Sequence, residues 1–158
     1  MTRTHARAPR GQRAVARVPR NHGRNVTCVA ALAMTGITQS LVFEDALDGP
    51  IFAQWIQERL LPALAPGTSI VLDNLSVHRN AAARIAVEAA RCRFVFLPPY
   101  SPDFNPIELG FAKLKAWLRG VEARDFDTLA TAIGEGLNRI TPADAQAFFR
   151  HCGYHDPP

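Results

Sequence analysis

Short apolar runs separated by turn-forming residues predict the first elements of the chain. Residues 25–34 and 37–43 are both rich in β-branched and apolar side chains, and a Thr-Gly pair lies between them. This pattern predicts a β-hairpin. From Pro50 onward, apolar residues recur at three- and four-residue intervals as far as Leu64, which predicts a helix with Pro50 in its first turn.

A strand–helix–strand unit follows the predicted helix. Residues 68–73 form a short apolar run that ends in an acid, residues 80–90 are rich in alanine, and residues 93–97 form a second apolar run. The two runs are typical of buried strands, and alanine favours a helix between them. Together with the hairpin, this unit predicts an α/β fold with a mixed sheet and flanking helices. In open α/β sheets, ligands bind at the carboxyl ends of the parallel strands, where Asp73 lies.

The last third of the chain is predicted to be helical. It is preceded by residues 98–102, which contain three prolines and predict a rigid extended loop, because each proline fixes its own φ and restricts the residue before it. Helices are then predicted over 106–119, 126–138 and 142–151. No internal repeat or interior linker interrupts this order, which favours one domain over 25–158.

The net positive charge of the chain comes from its first 24 residues. The protein has 158 residues and a formal net charge of +4, but residues 25–158 contain 11 basic and 14 acidic residues. A basic arm over residues 1–24 favours a polyanionic partner, most simply nucleic acid, although a solvated arm without a partner has the same composition. The predicted DNA-binding residues of this arm are its arginines: Arg3, Arg7, Arg10, Arg13, Arg17, Arg20 and Arg24.

The composition excludes several classes of protein. With 47 % hydrophobic residues the chain can build a sizeable core, which excludes general disorder. Its three cysteines form no CxxC pair and fit buried thiols in a reducing compartment better than disulfides or a zinc site. No stretch of eighteen apolar residues exists, so no membrane span is predicted.

Two polar segments carry candidate chemistry. Asp73 ends a predicted buried strand and is followed by Asn74 and His78, while Glu108 lies in the first turn of the helix after the proline-rich loop. Because the two predicted strands are neighbours, both carboxylates can reach the same edge of the sheet. Two carboxylates held together repel each other unless a proton or a cation lies between them, which favours a hard metal such as Mg²⁺. Such sites are typical of phosphoryl transfer.

Each acid also has a structural interpretation. Asn105 could cap the helix that starts at Pro106, with Glu108 as its third residue, in a capping-box arrangement. Asp73 could accept a hydrogen bond in an Asx-turn at the end of its strand. The spacing of these residues leaves both the metal site and the structural roles open.

At these residues the chain resembles a known family. Residues 70–78 (IVLDNLSVH), 97–108 (LPPYSPDFNPIE) and 111–115 (FAKLK) resemble the second and third acidic motifs of DDE-superfamily transposases, in the bacterial insertion-sequence group related to mariner elements. The 34 residues between Asp73 and Glu108 match the spacing of that group. The resemblance extends from residues 7–13 to residues 148–154, and its proline-rich motif is far more specific than an isolated pair of acids.

The resemblance implies a ribonuclease H-like fold and metal-dependent DNA cleavage and strand transfer at insertion-sequence ends. It implies that Asp73 and Glu108 are catalytic ligands of Mg²⁺ (or Mn²⁺), with Asn74, His78 and Asn105 close by. For His78, a hydrogen-bonded structural role is the better expectation.

The same resemblance implies a set of partners. DNA is the expected substrate, together with self-association or pairing with an upstream transposase segment, in the bacterial cytoplasm at the nucleoid and without a membrane. Lys113, Lys115 and Arg119 follow Glu108 on the same helix, where they either contact phosphates or form its solvated face.

The chain departs from the family pattern at the first acid. Three acids are expected, but no acid precedes Glu44, and Asp45 and Asp48 match no motif of the family. We therefore expect a DDE endonuclease domain that lacks its first strand and its first acidic motif, and that is inactive alone. The alternatives are a catalytically inactive DNA-binding or dimerising transposase remnant, or a nucleic-acid-binding module with a basic arm.

Overall fold

The order of elements in the structure follows the pattern of the sequence. The computed structural model describes residues 9–11 and 25–154. The hairpin, the strand–helix–strand unit and the three C-terminal helices are all found where they are predicted. The elements are β1 (Val26–Ala33), β2 (Gly36–Glu44), α1 (Gly49–Trp55), β3 (Ser69–Leu72), α2 (Ala81–Ala89), β4 (Arg93–Phe96), α3 (Pro106–Val121), α4 (Phe126–Asn138) and α5 (Pro142–His151).

The β1–β2 hairpin lies between two hydrophobic cores. Its strands pair antiparallel, with one register shift between Ala31 and Leu32. Side chains on both of its faces are partly buried, because β1 and β2 contact each core. The first core is formed by Phe52, Ala53, Trp55, Ile56, Leu60, Ala83, Val87 and Cys92, and the second by Leu114, Leu118, Ala132, Ile133, Leu137 and Ile140.

The strands form two sheets in the described part of the chain. β1 pairs only with β2, and β3 pairs in parallel with β4, with Ile70 opposite Phe94 and Leu72 opposite Phe96. The sequence predicts one mixed sheet that lacks its first strand. Among the described residues no strand lies between β1 and β3, so the hydrogen-bond ladder does not continue from one sheet to the other.

The helix predicted from Pro50 to Leu64 changes its winding twice. It is α-helical only over α1, widens to a π-helix over Ile56–Leu60 and tightens to a 3₁₀-helix over Leu61–Ala63. Pro62 explains the change, since it has no N–H to donate and its ring clashes with the carbonyl four residues earlier.

Helices α3 and α4 pack closely at a glycine. A Cβ atom added to Gly136 would lie 2.5 Å from Leu114 Cδ1 and 2.6 Å from Trp117 Cδ1. The Trp117 ring is held on its other sides, because its Nε1 donates to the Ala132 carbonyl and the Arg139 guanidinium lies 3.8 Å from its centre. This contact fixes α3, which carries Glu108, against the second core.

The three cysteines are free thiols, as predicted. Cys92 and Cys152 are buried and Cys28 is partly buried. Desolvation by burial raises the pKa of the Cys28 thiol to about 11. These thiols therefore belong to the packing of the domain.

Within residues 9–11 and 25–154, none of the helices is both long enough and apolar enough to cross a membrane.

Candidate active site

Asp73 lies directly after β3 and is held by its own chain. Its Oδ1 accepts a hydrogen bond from the backbone N–H of Leu75 at 3.1 Å, which is the Asx-turn. The same oxygen lies 2.7 Å from Nδ1 of His78, within ion-pair distance, but this nitrogen has no hydrogen-bond partner among the described residues, so the hydrogen-bonded role expected for His78 is not found. Oδ2 of Asp73 has no polar partner among the described residues, and the side chain is 41 % exposed. One carboxylate oxygen is therefore available to a ligand.

His78 connects this acid to the first core. Its ring lies 4.9 Å from the ring of Phe52, and its side chain is only 16 % exposed. A 3₁₀ turn over Ser76–Arg79, which the sequence pattern does not predict, brings the imidazole back towards Asp73. The packing against Phe52 fixes the ring beside the carboxylate.

Asn74 ties the ends of the two parallel strands together. Its amide nitrogen donates to the carbonyl of Leu97, directly after β4, and its Oδ1 accepts from Nη2 of Arg79 at 2.7 Å. Both ends of the amide are thus used within the protein. Asn74 holds the carboxyl edge of the sheet in place and orients Arg79.

The loop from β4 to α3 is more folded than predicted. The prediction of an extended loop over 98–102 is wrong at its end, where Pro102–Phe104 form a 3₁₀ turn. Pro at the first position of a turn is favourable, since its φ is already set. Tyr100 before this turn has a φ of +56° and is fully exposed. The hydroxyl of Tyr154 donates to the carbonyl of Phe104 at 2.9 Å and anchors the loop from the C-terminal end.

α3 begins without a side-chain cap. Asn105 occupies the N-cap position, but its side chain makes no capping hydrogen bond, and only the backbone N–H of Glu108 reaches its carbonyl, at 3.1 Å. The capping-box interpretation of Asn105 and Glu108 is therefore wrong. The other four α-helices of the described chain start with capping side chains, namely Asp48, Asn80, Asp125 and Thr141.

Glu108 is left free by this arrangement. Its side chain is exposed, and no hydrogen bond or ion pair joins it to the described residues. Its carboxylate lies in the first turn of α3, where the helix dipole favours a negative charge. Asn105 and Glu108 thus offer oxygen atoms that the helix itself does not use.

The structure does not by itself complete a metal site. Among residues 9–11 and 25–154, no group of three or more His, Cys, Asp or Glu side chains is arranged to hold a metal ion. Asp45 and Asp48, the other acids near the hairpin, are engaged locally: Asp45 accepts from Ala46 N–H and Asp48 from Ile51 N–H, each at 2.8 Å. The joint role of Asp73 and Glu108 stays a prediction.

The basic residues of α3 lie on different faces. Lys115 and Arg119 follow Glu108 by seven and eleven residues, which places all three within about 20° of one line along the helix. Both cations are exposed. Lys113 lies on another face, where its Nζ is 2.6 Å from Oδ2 of Asp144 on α5. The hydrogen bonds from Lys113 and then Thr141 lower the pKa of Asp144 to about 2.

Most of the basic arm lies outside the described residues. Arg10 is described and is exposed, in a turn with Gly11. The other six predicted arginines of the arm, Arg3, Arg7, Arg13, Arg17, Arg20 and Arg24, fall outside.

Two residues that support the site are not predicted from the sequence. Arg79 follows His78 directly, and its position next to the motif is the signal that could have found it. Tyr154 has no such signal, because its partner Phe104 lies 50 positions earlier in the chain.

Comparison with known proteins identifies the family. The profile of a family described as DDE superfamily endonuclease matches residues 1–130. The chain therefore belongs to this family. A search of curated proteins gives no match.

Solved structures show the same fold. The Mos1 strand transfer complex is similar with a TM-score of 0.77 and 16 % identity, over 96 % of this chain and 47 % of that one. The Mos1 mariner paired-end complex with Mn gives 0.73 and 15 % over 96 % and 48 %, and the Mos1 paired-end complex with the left transposon end gives 0.54 and 18 % over 98 % and 52 %. The chain spans about half the length of these transposases. The predicted ribonuclease H-like α/β fold is confirmed.

Proposed function

We propose that this chain acts in DNA transposition, with Asp73 and Glu108 as two carboxylate ligands of a divalent-metal site that cleaves and joins DNA strands. The observation that carries the proposal is the uncapped start of α3. The side chains of Asn105 and Glu108 make no capping hydrogen bond there, so their oxygen atoms are available to a ligand. Membership of the DDE superfamily endonuclease family supports it. The fold shared with transposase complexes at transposon ends supports DNA as the substrate.

The donor atoms fit a hard divalent cation. Mg²⁺ prefers oxygen ligands and is commonly held by one or two protein carboxylates, with water and substrate phosphate as the other ligands. Asp73 offers one oxygen without a partner among the described residues, and Glu108 offers an exposed carboxylate. Mn²⁺ accepts the same ligands, and a similar transposase structure contains Mn. Asp73 and Glu108 would hold the ion, and a bound ion of this type stabilises the charge that develops on a phosphodiester during hydrolysis or strand transfer.

The residues around the acids keep them in position. His78 lies against Oδ1 of Asp73, and Asn74 fixes the strand edge from which Asp73 emerges. Tyr154 holds the loop that leads to Glu108. None of these three side chains needs to touch the substrate for this role.

DNA is bound by charge on two surfaces. Lys115 and Arg119 extend from Glu108 along one face of α3, over about 16 Å of helix axis. Phosphates that approach Glu108 would meet these cations next. The basic arm supplies further positive charge, and its arginines contact the DNA backbone rather than reading bases.

The described residues supply only part of a three-acid site. No acid lies before Glu44 in the sequence, and Asp45 and Asp48 are engaged in local hydrogen bonds. We therefore expect weak metal binding and no cleavage of element ends by this chain alone. The second candidate function is an inactive partner of a transposase, which is favoured by the edges of β1 and β3 that carry no strand within the described residues.

Metal binding without DNA tests the proposal directly. Mn²⁺ binding is measured by electron paramagnetic resonance and calorimetry for the wild-type chain, Asp73→Asn and Glu108→Gln. Each substitution should weaken binding by at least the roughly tenfold loss that is typical when even an outer-sphere partner is removed. The matched controls are Asp127→Asn and Glu135→Gln, which change exposed acids on α4 and should leave the affinity unchanged.

Equal affinities in all five proteins would overturn the metal site. A nicking assay with duplex DNA and Mn²⁺ then separates the two candidate functions. Cleavage that is lost in Asp73→Asn would show that the chain is active alone, and Asp45→Asn and Asp48→Asn would test these acids as the third ligand. DNA binding without cleavage agrees with the expected incomplete site.

A further inference from the structure

A cavity of about 320 Å³ lies beside Asp73 and is not explained by the metal site. It is formed where the β3–β4 sheet meets the start of α2, and the side chains that matter are Asn74, His78, Arg79, Arg84, Phe94 and Phe96. His78 also lies 2.7 Å from Oδ1 of Asp73, and Asn74 follows Asp73 directly in the chain, so two residues that line the cavity adjoin the acid. Its volume is at the lower end of the range for small-ligand sites.

The cavity is positively charged. Arg79 is fixed by its hydrogen bond to Oδ1 of Asn74, and its guanidinium lies 5.9 Å from the ring centre of Phe96. Arg84 is exposed on α2 and makes no ion pair within the described part of the chain. No acidic side chain of the described residues lines the cavity. A ligand with a negative charge is therefore favoured.

An aromatic surface lies next to these cations. Phe96 is 39 % exposed although it is an aromatic strand residue, and its ring lies 6.0 Å from that of Phe94. Exposed aromatic side chains beside arginines are the usual surface on which unpaired bases stack. Base and phosphate together are the chemistry that matches this lining.

We propose that the cavity binds one unpaired nucleotide of the DNA, with its base on Phe96 and its phosphate between Arg79 and Arg84. The inference rests on the proposed function, since the nucleotide belongs to the strand whose phosphodiester reaches Asp73. Asn74 and His78 line the cavity and adjoin Asp73, so they set the distance between the bound nucleotide and the Asp73 carboxylate. The cavity thus selects DNA that is unpaired next to the reaction site.

Binding of two matched DNA probes tests this inference. One probe is a duplex with a short single-stranded extension, and the other carries abasic sites in the same extension. Fluorescence anisotropy without divalent metal gives both affinities. The wild-type chain should bind the abasic probe about fivefold to 150-fold more weakly, which is the range for stacking one base on an aromatic side chain.

Three variants identify the cavity as the cause. Phe96→Leu should bind both probes equally, because the stacking surface is gone while an apolar side chain remains. Arg84→Ala should weaken binding of both probes, whereas Arg59→Ala, an exposed arginine outside the cavity, should not. Circular dichroism and the thermal midpoint of each variant establish that it is folded, and Arg84→Ala keeps the test valid if Phe96→Leu unfolds.

The outcomes separate this inference from the function on which it rests. If the wild-type chain binds both probes equally well, or if Arg84→Ala behaves like Arg59→Ala, the nucleotide pocket is wrong and DNA binding stands. If the wild-type chain binds neither probe, the proposed DNA function is overturned and the pocket with it.

Discussion

Asn105 occupies a helix N-cap position but does not stabilise the helix with its side chain. A side-chain cap at a helix start typically contributes about 0.5–2 kcal/mol, and α3 begins without one although asparagine is among the best capping residues. The four capped α-helices of the described chain show that the sequence uses this device elsewhere. Sites that bind ligands often forgo local stability in this way.

The pair of Lys113 and Asp144 predicts an acid-sensitive contact between α3 and α5. The pKa of Asp144 is lowered from 3.8 to about 2 in the folded chain. As the pH falls, the Asp144 carboxylate is therefore protonated in the unfolded chain before it is protonated in the folded chain. The stabilisation is present above about pH 4 and is lost as the pH falls towards 2. Chemical unfolding followed between about pH 5 and pH 2 should show a steeper loss of stability for the wild-type chain than for Asp144→Asn.

Asp127→Asn is the control for this titration. Asp127 is exposed in the first turn of α4, and its substitution should leave the pH profile close to that of the wild-type chain. The assignment fails if Asp144→Asn and the wild-type chain lose stability in parallel over this range.

At the residue scale, predictability follows distance along the chain. The neighbourhood of Asp73 was predictable because Leu75 and His78 lie within five positions of it and a strand end forces them together. The ion pair of Lys113 with Asp144 and the hydrogen bond of Tyr154 to Phe104 span 31 and 50 positions. Contacts of this kind depend on how α5 packs, which no local pattern encodes.

Two glycines of α4 predict opposite effects on stability. Gly136→Ala should destabilise the protein by about 1–3 kcal/mol, since the new methyl group overlaps Leu114 and the fixed ring of Trp117. Gly134→Ala meets no atom within 4 Å and should stabilise it by about 0.4–1 kcal/mol, because alanine loses less backbone entropy in a helix. Urea unfolding of the two variants and the wild-type chain measures both effects.

The pair of variants controls for helix propensity, since both substitutions are the same change in one helix. A stabilised Gly136→Ala variant would mean that α3 and α4 separate more easily than their contact at Trp117 implies.

At the element scale, the sequence predicted which segments form but not how regularly they are wound. Bounds of α4 and α5 were predicted correctly because a capping residue precedes each helix. The π-helix over Ile56–Leu60 and the 3₁₀ turn over Pro102–Phe104 were missed. Pro62 removes a backbone donor inside the first helix, whereas Pro102 starts its turn with a favourable φ. In both places the type of winding depends on local packing.

The arm and the domain carry net charges of opposite sign. Residues 1–24 carry seven arginines and no acid, whereas residues 25–158 carry an excess of acids. Deleting residues 1–24 should weaken DNA binding and flatten its dependence on salt, by about 0.9 in the log–log slope for each phosphate that the arm neutralises. Anisotropy over a salt series measures the affinity and the slope together.

A variant with lysine at all seven arginine positions of the arm is the control. It should keep most of the affinity and slope, because phosphate binding of this kind depends mainly on charge. The role of the arm is contradicted if its deletion leaves affinity and slope unchanged.

The sheet is the part of the whole molecule that the sequence predicted least completely. The hairpin and the parallel pair were both predicted, but their separation into two sheets depends on what lies between β1 and β3. Val71 and Val95 on the parallel pair are 37 % and 40 % exposed. Exposed apolar strands with free edges favour association with another extended segment.

The bond from Tyr154 to Phe104 has a consequence for judging related genes. A stop codon just before Tyr154 would leave both predicted acidic motifs unchanged and yet remove the hydrogen bond that anchors the loop before Glu108. A copy of this gene can therefore keep every residue of the predicted motifs and still lack a contact that positions the predicted site. To decide whether such a copy is intact, its last codons have to be compared as well as the codons for Asp73 and Glu108.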